Sequence, residues 1–143
     1  MNEIGDVKEF QLKFGQIVGD RPQHLTLRKL NERVEFMLEE LIEFSIACES
    51  QNLAEQADAL VDLVYVVLGT VNMLGLPWEA LWNDVHQANM RKVRGVGKRG
   101  HLVDCVKPPG WIGPITESIL NASGYVKHVH SQKEHHVDDP EHC

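Results

Sequence analysis

Apolar residues recur at helical spacing through most of the chain and predict four helices. These helices span about residues 6–18, 26–50, 53–73 and 78–93. Thr26 fits the N-cap of the second helix, and Pro77 stands at the start of the fourth. Because long helices joined by short links pack as antiparallel neighbours, the pattern predicts an all-α, antiparallel four-helix-type bundle.

The third predicted helix is apolar nearly all round, which indicates burial among several neighbours. Asp62 lies within it, between Val61 and Leu63, and is therefore expected to be buried. One four-helix unit would leave this helix poorly covered. We therefore expect a homodimer or a dimer of dimers, with pockets that could draw on two chains.

The chain changes character after Val93. Glycines among basic residues predict a loop or a short hairpin, and Lys107-Pro108-Pro109-Gly110-Trp111 predicts a rigid turn that folds back on the bundle. A short helix is expected at residues 116–122. The polar, His-rich stretch from about residue 127 is expected to be flexible. We interpret residues 1–115 as one helical domain and residues 116–143 as a C-terminal extension.

Composition narrows the class of protein. The net charge of −7 argues against a general nucleic-acid binder, and 43% hydrophobic residues suit one globular domain. The three cysteines, Cys48, Cys105 and Cys143, fit neither a zinc site nor a disulfide framework, which favours reduced thiols in a cytoplasmic protein. No signal pattern opens the chain, and the apolar run 59–76 is better explained as a buried helix than as a membrane span.

Acids concentrate on the second and third predicted helices. Residues 31–62 hold nine acids and a single base, Arg33. Helical spacing places Glu40 and Glu43 on one face, and it does the same for Glu55, Asp58 and Asp62. Clustered carboxylates need a counter-charge, and oxygen ligands select hard cations such as Mg²⁺ or Mn²⁺. The alternative is a solvated acidic face opposite the basic segment 89–107.

The acids also carry a resemblance. Glu39-Glu40-x-x-Glu43, followed after eleven residues by Glu55-x-x-Asp58, resembles the MazG-like, all-α nucleoside triphosphate pyrophosphohydrolases. The segments 58–70, 86–92 and 107–111 are similar to a branch related to phosphoribosyl-ATP pyrophosphohydrolase and often labelled Cof-like. The resemblance covers roughly residues 7–115.

The resemblance implies Mg²⁺-dependent cleavage of a nucleoside triphosphate at the α–β bond, giving a nucleoside monophosphate and pyrophosphate, and a role in cleansing the nucleotide pool. Its implied metal ligands are Glu40, Glu43, Glu55 and Asp58. Asp62 would ligate a second metal or orient a ligand. Glu39 would support the ligands or position the attacking water. Glu39 and Glu43 are the candidate catalytic residues.

Substrate contacts are expected from the basic half of the chain. By resemblance, Asn89 would contact the nucleotide and Lys92 its phosphates. Lys107 and Trp111 would close over the substrate, although a tryptophan is commonly just core. Arg33 has no acidic neighbour one turn away on its helix, so it could reach substrate phosphate, pair with another helix or remain solvated.

Two other functions remain open at this point. A non-catalytic helical module that binds a nucleotide or metal would keep the metal site without turnover. A purely structural bundle would have solvated acids. Release of pyrophosphate would distinguish the enzyme from the non-catalytic module. The position of Asp62 amid an apolar helix argues against the purely structural bundle.

Overall fold

The computed structural model describes residues 2–97 and 104–127, and over these ranges it confirms the all-α class. In this part of the chain there are five helices and one two-stranded antiparallel sheet. The helices are α1 (Glu3–Lys13), α2 (Leu27–Glu49), α3 (Leu53–Met73), α4 (Trp78–Met90) and α5 (Thr116–Ala122), and the strands are β1 (Val93–Gly95) and β2 (Asp104–Val106). The His-rich tail, with Cys143, lies outside the described residues.

Helix α1 begins and ends earlier than the apolar pattern predicted. The side chain of Asn2 accepts a hydrogen bond from the Gly5 N–H at 3.3 Å, and this cap starts the helix at Glu3. The Gln16 N–H bonds back to the Gln11 carbonyl at 2.8 Å, which closes the last turn. The apolar residues after Lys13 therefore belong to the linker that leads to α2.

Helices α2 and α3 form the central antiparallel pair, and α1 packs on α3. Thr26 caps α2 as expected, since its hydroxyl accepts a hydrogen bond from the Lys29 N–H at 3.2 Å. Asn52 caps α3 in the same way through the Glu55 N–H at 3.3 Å. The predicted bounds of this pair are confirmed because both N-termini carry a side-chain acceptor.

Burial along α3 is uneven, and the prediction that Asp62 is buried was wrong for the single chain. The six residues 68–73 are all buried, whereas Asp62 is exposed and Val61 keeps 64% of its surface. Helix α1 covers only the C-terminal part of α3, through contacts such as Gln11 to the Gly69 carbonyl. The apolar N-terminal part of α3 therefore faces outward in one chain.

Helix α4 turns away from α3 by 119°, and it ends at Met90 rather than at Val93. Val93 instead pairs with Val106 in the hairpin. The following segment folds back on α4, as expected. The Trp111 indole N–H donates to the Ala88 carbonyl at 2.8 Å, and the Ile115 N–H donates to Asp84 Oδ2 at 2.8 Å.

The linker between α1 and α2 is fastened to the end of α3 mainly through backbone groups. The Gly19 N–H donates to the Asn72 carbonyl at 2.8 Å, and the Gln23 N–H donates to the Leu74 carbonyl at 3.0 Å. Gly75 has φ +62°, and a Cβ at this position would overlap the Arg21 carbonyl. The linker can approach the α3–α4 turn this closely because position 75 carries no side chain.

Two further features bear on the class of protein. In the described ranges no single helix is long and apolar enough to cross a membrane, although the bent pair α3–α4 passes that test jointly. Cys48 and Cys105 are free and exposed, in agreement with the expectation of unpaired thiols.

We expect Gly75→Ala to destabilise the fold by about 2–4 kcal/mol, since alanine would meet both a left-handed backbone and the Arg21 carbonyl. Gly15→Ala is the matched control, because Gly15 has φ +68° but open space around it. Gly15→Ala should lower the free energy of unfolding only by the cost of the left-handed backbone, about 1–2 kcal/mol. Urea unfolding of both variants measures the difference, and equal losses would contradict the close contact.

Candidate active site

The acids of α2 and α3 face one another across the central helix pair. Glu40 is half-buried on α2, and four other acids lie close enough to act on its charge. These four acids are Glu43, Asp62, Glu39 and Asp58. The structure therefore brings together five of the six acids that were predicted from the sequence as site residues.

Glu40 lies at the centre of this acid face. Partial burial, followed by the negative charges of the four neighbouring acids, raises the pKa of the Glu40 carboxyl above its ordinary value. Like charges on two packed helices oppose the packing. A cation bound between the helices would remove that opposition.

Glu55 is the sixth selected acid, and it is placed differently. It lies exposed in the first turn of α3, where its N–H donates to the Asn52 cap. It is not among the acids whose charge acts on Glu40. A carboxylate in a first turn is also stabilised by the helix dipole, so Glu55 has a structural explanation besides its predicted role as a ligand.

The donor set fits a hard divalent cation in chemistry and charge. Every donor is a carboxylate, and no His or Cys is among the groups acting on Glu40. In the described ranges, however, no three acid, His or Cys side chains already converge as a metal cage. Glu and Asp side chains reorient by changing rotamer, and such a change would bring these carboxylates towards a bound cation.

Arg33 holds α2 against α3. Its Nε donates to Thr70 Oγ1 at 3.0 Å, and its Nη2 donates to the Val66 carbonyl at 2.9 Å. The Thr70 hydroxyl donates to the same carbonyl at 2.9 Å. We call Arg33, Thr70 and the Val66 carbonyl the Arg33 clamp. With two nitrogens used, a contact with substrate would fall to Nη1, and that role stays a prediction.

Lys92, Lys107 and Trp111 come together at the C-terminal end of α4. The Lys107 ammonium lies 4.5 Å from the centroid of the Trp111 ring, and the Lys92 ammonium lies 5.9 Å from it. The hydrogen bond to Ala88 fixes the indole, so Trp111 acts as a platform for both ammonium groups. Each of the two ammonium groups carries a positive charge that attracts a polyphosphate.

A cavity of about 690 Å³ lies between α3, the start of α1 and the N-terminal end of α4. Leu63 and Val64 line it from α3, and Trp78 and Trp82 line it from α4, with their rings 5.5 Å apart. Asn89 is exposed seven residues after Trp82, on the same side of α4. The cavity is within the usual size range for small-molecule sites.

Sequence reasoning gave no role to the residues that support the site, although two of them lie in the segment 58–70 that carries the resemblance. Thr70 is a polar residue in an apolar helix, and Gly69 is a mid-helix glycine; both are signals that a close contact is present. Gln11 is only 1% exposed, and its amide donates to the Gly69 carbonyl at 3.0 Å. Its neighbours in sequence gave no such signal.

These features define an all-α protein with an acidic site between two antiparallel helices. The chain belongs to the phosphoribosyl-ATP pyrophosphohydrolase family, whose sequence model matches residues 7–89. The match contains every selected acid and ends at Asn89, before Lys92, Lys107 and Trp111. No curated protein matches the chain. Membership indicates a pyrophosphohydrolase, a hydrolase that acts on an acid anhydride.

We expect Glu40→Gln to raise the melting temperature in metal-free buffer at neutral pH by roughly 2 °C, because it removes a charge that four acids repel. Glu35→Gln, an exposed position on the same helix, is the control and should change little. Differential scanning calorimetry measures both variants. A lower melting temperature for Glu40→Gln alone would show that the carboxylate is stabilising, against the crowding described above.

Proposed function

We propose that the protein hydrolyses a nucleoside triphosphate at the α–β phosphate bond in a Mg²⁺-dependent reaction, giving a nucleoside monophosphate and pyrophosphate. The observation that carries the proposal is the crowding of carboxylates around Glu40 within a chain of this family. Mn²⁺ is a possible substitute for Mg²⁺, since both prefer oxygen ligands. Cleansing of the nucleotide pool is the role that fits this reaction.

Each acid has a proposed part in the site. Glu40, Glu43, Glu55, Asp58 and Asp62 would hold the metal. When bound, Mg²⁺ would supply positive charge for the phosphates and for the attacking water. Glu39 and Glu43 would orient that water, since both lie beside Glu40 on α2.

The substrate would extend from the acid face to α4. Lys92 and Lys107 would bind its phosphates, and Trp111 would hold the two lysines near each other. The base would enter the cavity beside Trp78 and Trp82, whose apolar walls suit a flat ring. The position of Asn89 on the same side of α4 supports a polar contact with the nucleoside.

We expect pyrophosphate release from at least one member of a triphosphate panel with Mg²⁺ or Mn²⁺. The panel includes phosphoribosyl-ATP, which the family name specifies. Glu43→Gln and Asp58→Asn should each lower turnover by more than about 100-fold, because loss of supporting residues alone costs about 10–100-fold. Glu49→Gln, an exposed acid at the end of α2, is the matched control and should retain turnover.

Three results of this assay would contradict the proposal in different ways. Release of orthophosphate in place of pyrophosphate would show that a bond other than the α–β phosphate bond is cleaved. Retained turnover in both variants would show that Glu43 and Asp58 are not needed for the reaction. Metal or nucleotide binding without any turnover would favour the non-catalytic regulatory module.

The exposed apolar surface supports assembly into a homodimer or a dimer of dimers. Among the exposed apolar side chains of α2 and α3, six that lie next to the acids keep between 45% and 64% of their surface. They are Leu41, Ile42, Ile46, Leu60, Val61 and Val64. They flank the acids, so a second copy seated on them would also lie beside the site, and exposed patches of this kind mark interaction surfaces.

We expect light scattering at micromolar concentration to give the mass of a dimer or a tetramer. Ile46→Glu should lower that mass towards the monomer, because it places a charge on the proposed interface. Val126→Glu is the control, since Val126 is 70% exposed near the end of the described chain. A monomeric wild type, or an unchanged mass for Ile46→Glu, would contradict this interface.

A further inference from the structure

The Arg33 clamp lies at one end of the acid face. Arg33 is half-buried, and burial lowers the pKa of its guanidinium. In the described ranges no acid lies within ion-pairing distance of it. A partly desolvated cation depends on its remaining acceptors, and here these are the Thr70 hydroxyl and the Val66 carbonyl.

Gly69 provides the room for this contact. A Cβ at position 69 would lie 3.3 Å from Arg33 Nη2 and 3.5 Å from Gln11 Nε2. Both side chains therefore reach the α3 backbone where it carries no side chain. The clamp fixes where α2 lies along α3, because Arg33 contacts residues one turn apart at once.

A second set of polar contacts fixes the opposite end of the helix pair. The Ala47 carbonyl near the end of α2 accepts from Gln56 Nε2 at 3.1 Å and from the Asn52 N–H at 3.0 Å. The acids lie between the two ends. Glu40 is seven residues beyond Arg33, about 10 Å along α2, and Asp62 is eight residues before Thr70, about 12 Å along α3.

Metal sites tolerate ligand displacements of only about 0.2 Å, and each residue of a helix rises about 1.5 Å. Small slips of α2 along α3 would therefore spoil a site shared between them. We propose that Thr70 is a positioning residue: by holding Arg33, it sets the register at which the acids of α2 face the acids of α3. Thr70 does so without touching metal or substrate. The inference rests on the metal site of the proposed function.

The hydroxyl group of Thr70 makes the contacts on which this positioning role depends. It accepts from Arg33 Nε and donates to the Val66 carbonyl, so its proton and one of its two lone pairs are used. Valine keeps the shape of threonine and removes both hydrogen bonds. Serine keeps the hydroxyl and removes only a methyl group, which makes it the conservative variant.

We expect Thr70→Val to need about tenfold more Mg²⁺ than wild type to reach half of its Mg²⁺-induced rise in melting temperature, the lower end of what loss of supporting contacts costs metal sites. Thr70→Ser should restore the wild-type midpoint. Thr70→Ala is measured in parallel, so that a poorly folded valine variant does not decide the result. The readout is a Mg²⁺ titration without nucleotide, followed by calorimetry.

Gln23→Leu is the matched structural control. Gln23 Nε2 donates to the Met73 carbonyl at 3.0 Å, a contact of the same kind at the last residue of α3, beyond Thr70 and farther from the acids. This variant should melt lower without Mg²⁺ and keep the wild-type Mg²⁺ midpoint. A wild-type midpoint in both Thr70→Val and Thr70→Ala would overturn the positioning role. No Mg²⁺-induced rise in the wild type would overturn the metal site itself, and this inference with it.

Discussion

The structure depends on holding two acid-bearing helices side by side. Helices α2 and α3 pack closely on one another, whereas the carboxylates that face one another across the pair oppose the packing. Partial burial and then these neighbouring charges raise the pKa of Glu40. Polar contacts with backbone groups secure both ends, at Arg33 and at Ala47. Charge repulsion is therefore confined to the middle of the pair, between ends that are fixed independently of it.

The division of α3 into a buried and an exposed half follows from the same arrangement. Helix α1 and the linker that follows it cover the C-terminal half, where Asn72 donates to the Ile4 carbonyl. The N-terminal half carries acids towards α2 and leaves apolar residues such as Val61 uncovered. One half of this helix serves the folding of the chain, and the other half presents the acids.

The sequence predicted the central helices well because apolar spacing and the Thr26 cap are local signals; the structure adds Asn52 as the cap of α3. It misplaced the end of α4, since the pairing of Val93 with Val106 is a contact between distant residues. It predicted burial of Asp62 from apolar neighbours in sequence, but the covering elements do not reach that part of α3. The acid face was predictable from helical spacing, whereas the partners of Arg33 depend on the packing of α2 on α3.

The tertiary hydrogen bonds described above mostly end on main-chain carbonyls, including those of Val66, Gly69, Met73 and Ala88. A carbonyl accepts in the same way whatever side chain its residue carries, so the residue type at these positions can change in evolution without loss of the contact. The donor positions cannot change as freely, because each needs a particular amide, guanidinium or indole. Substitution should therefore be asymmetric across these contacts, with Gln11, Gln23, Arg33 and Trp111 changing more slowly than the residues they hold.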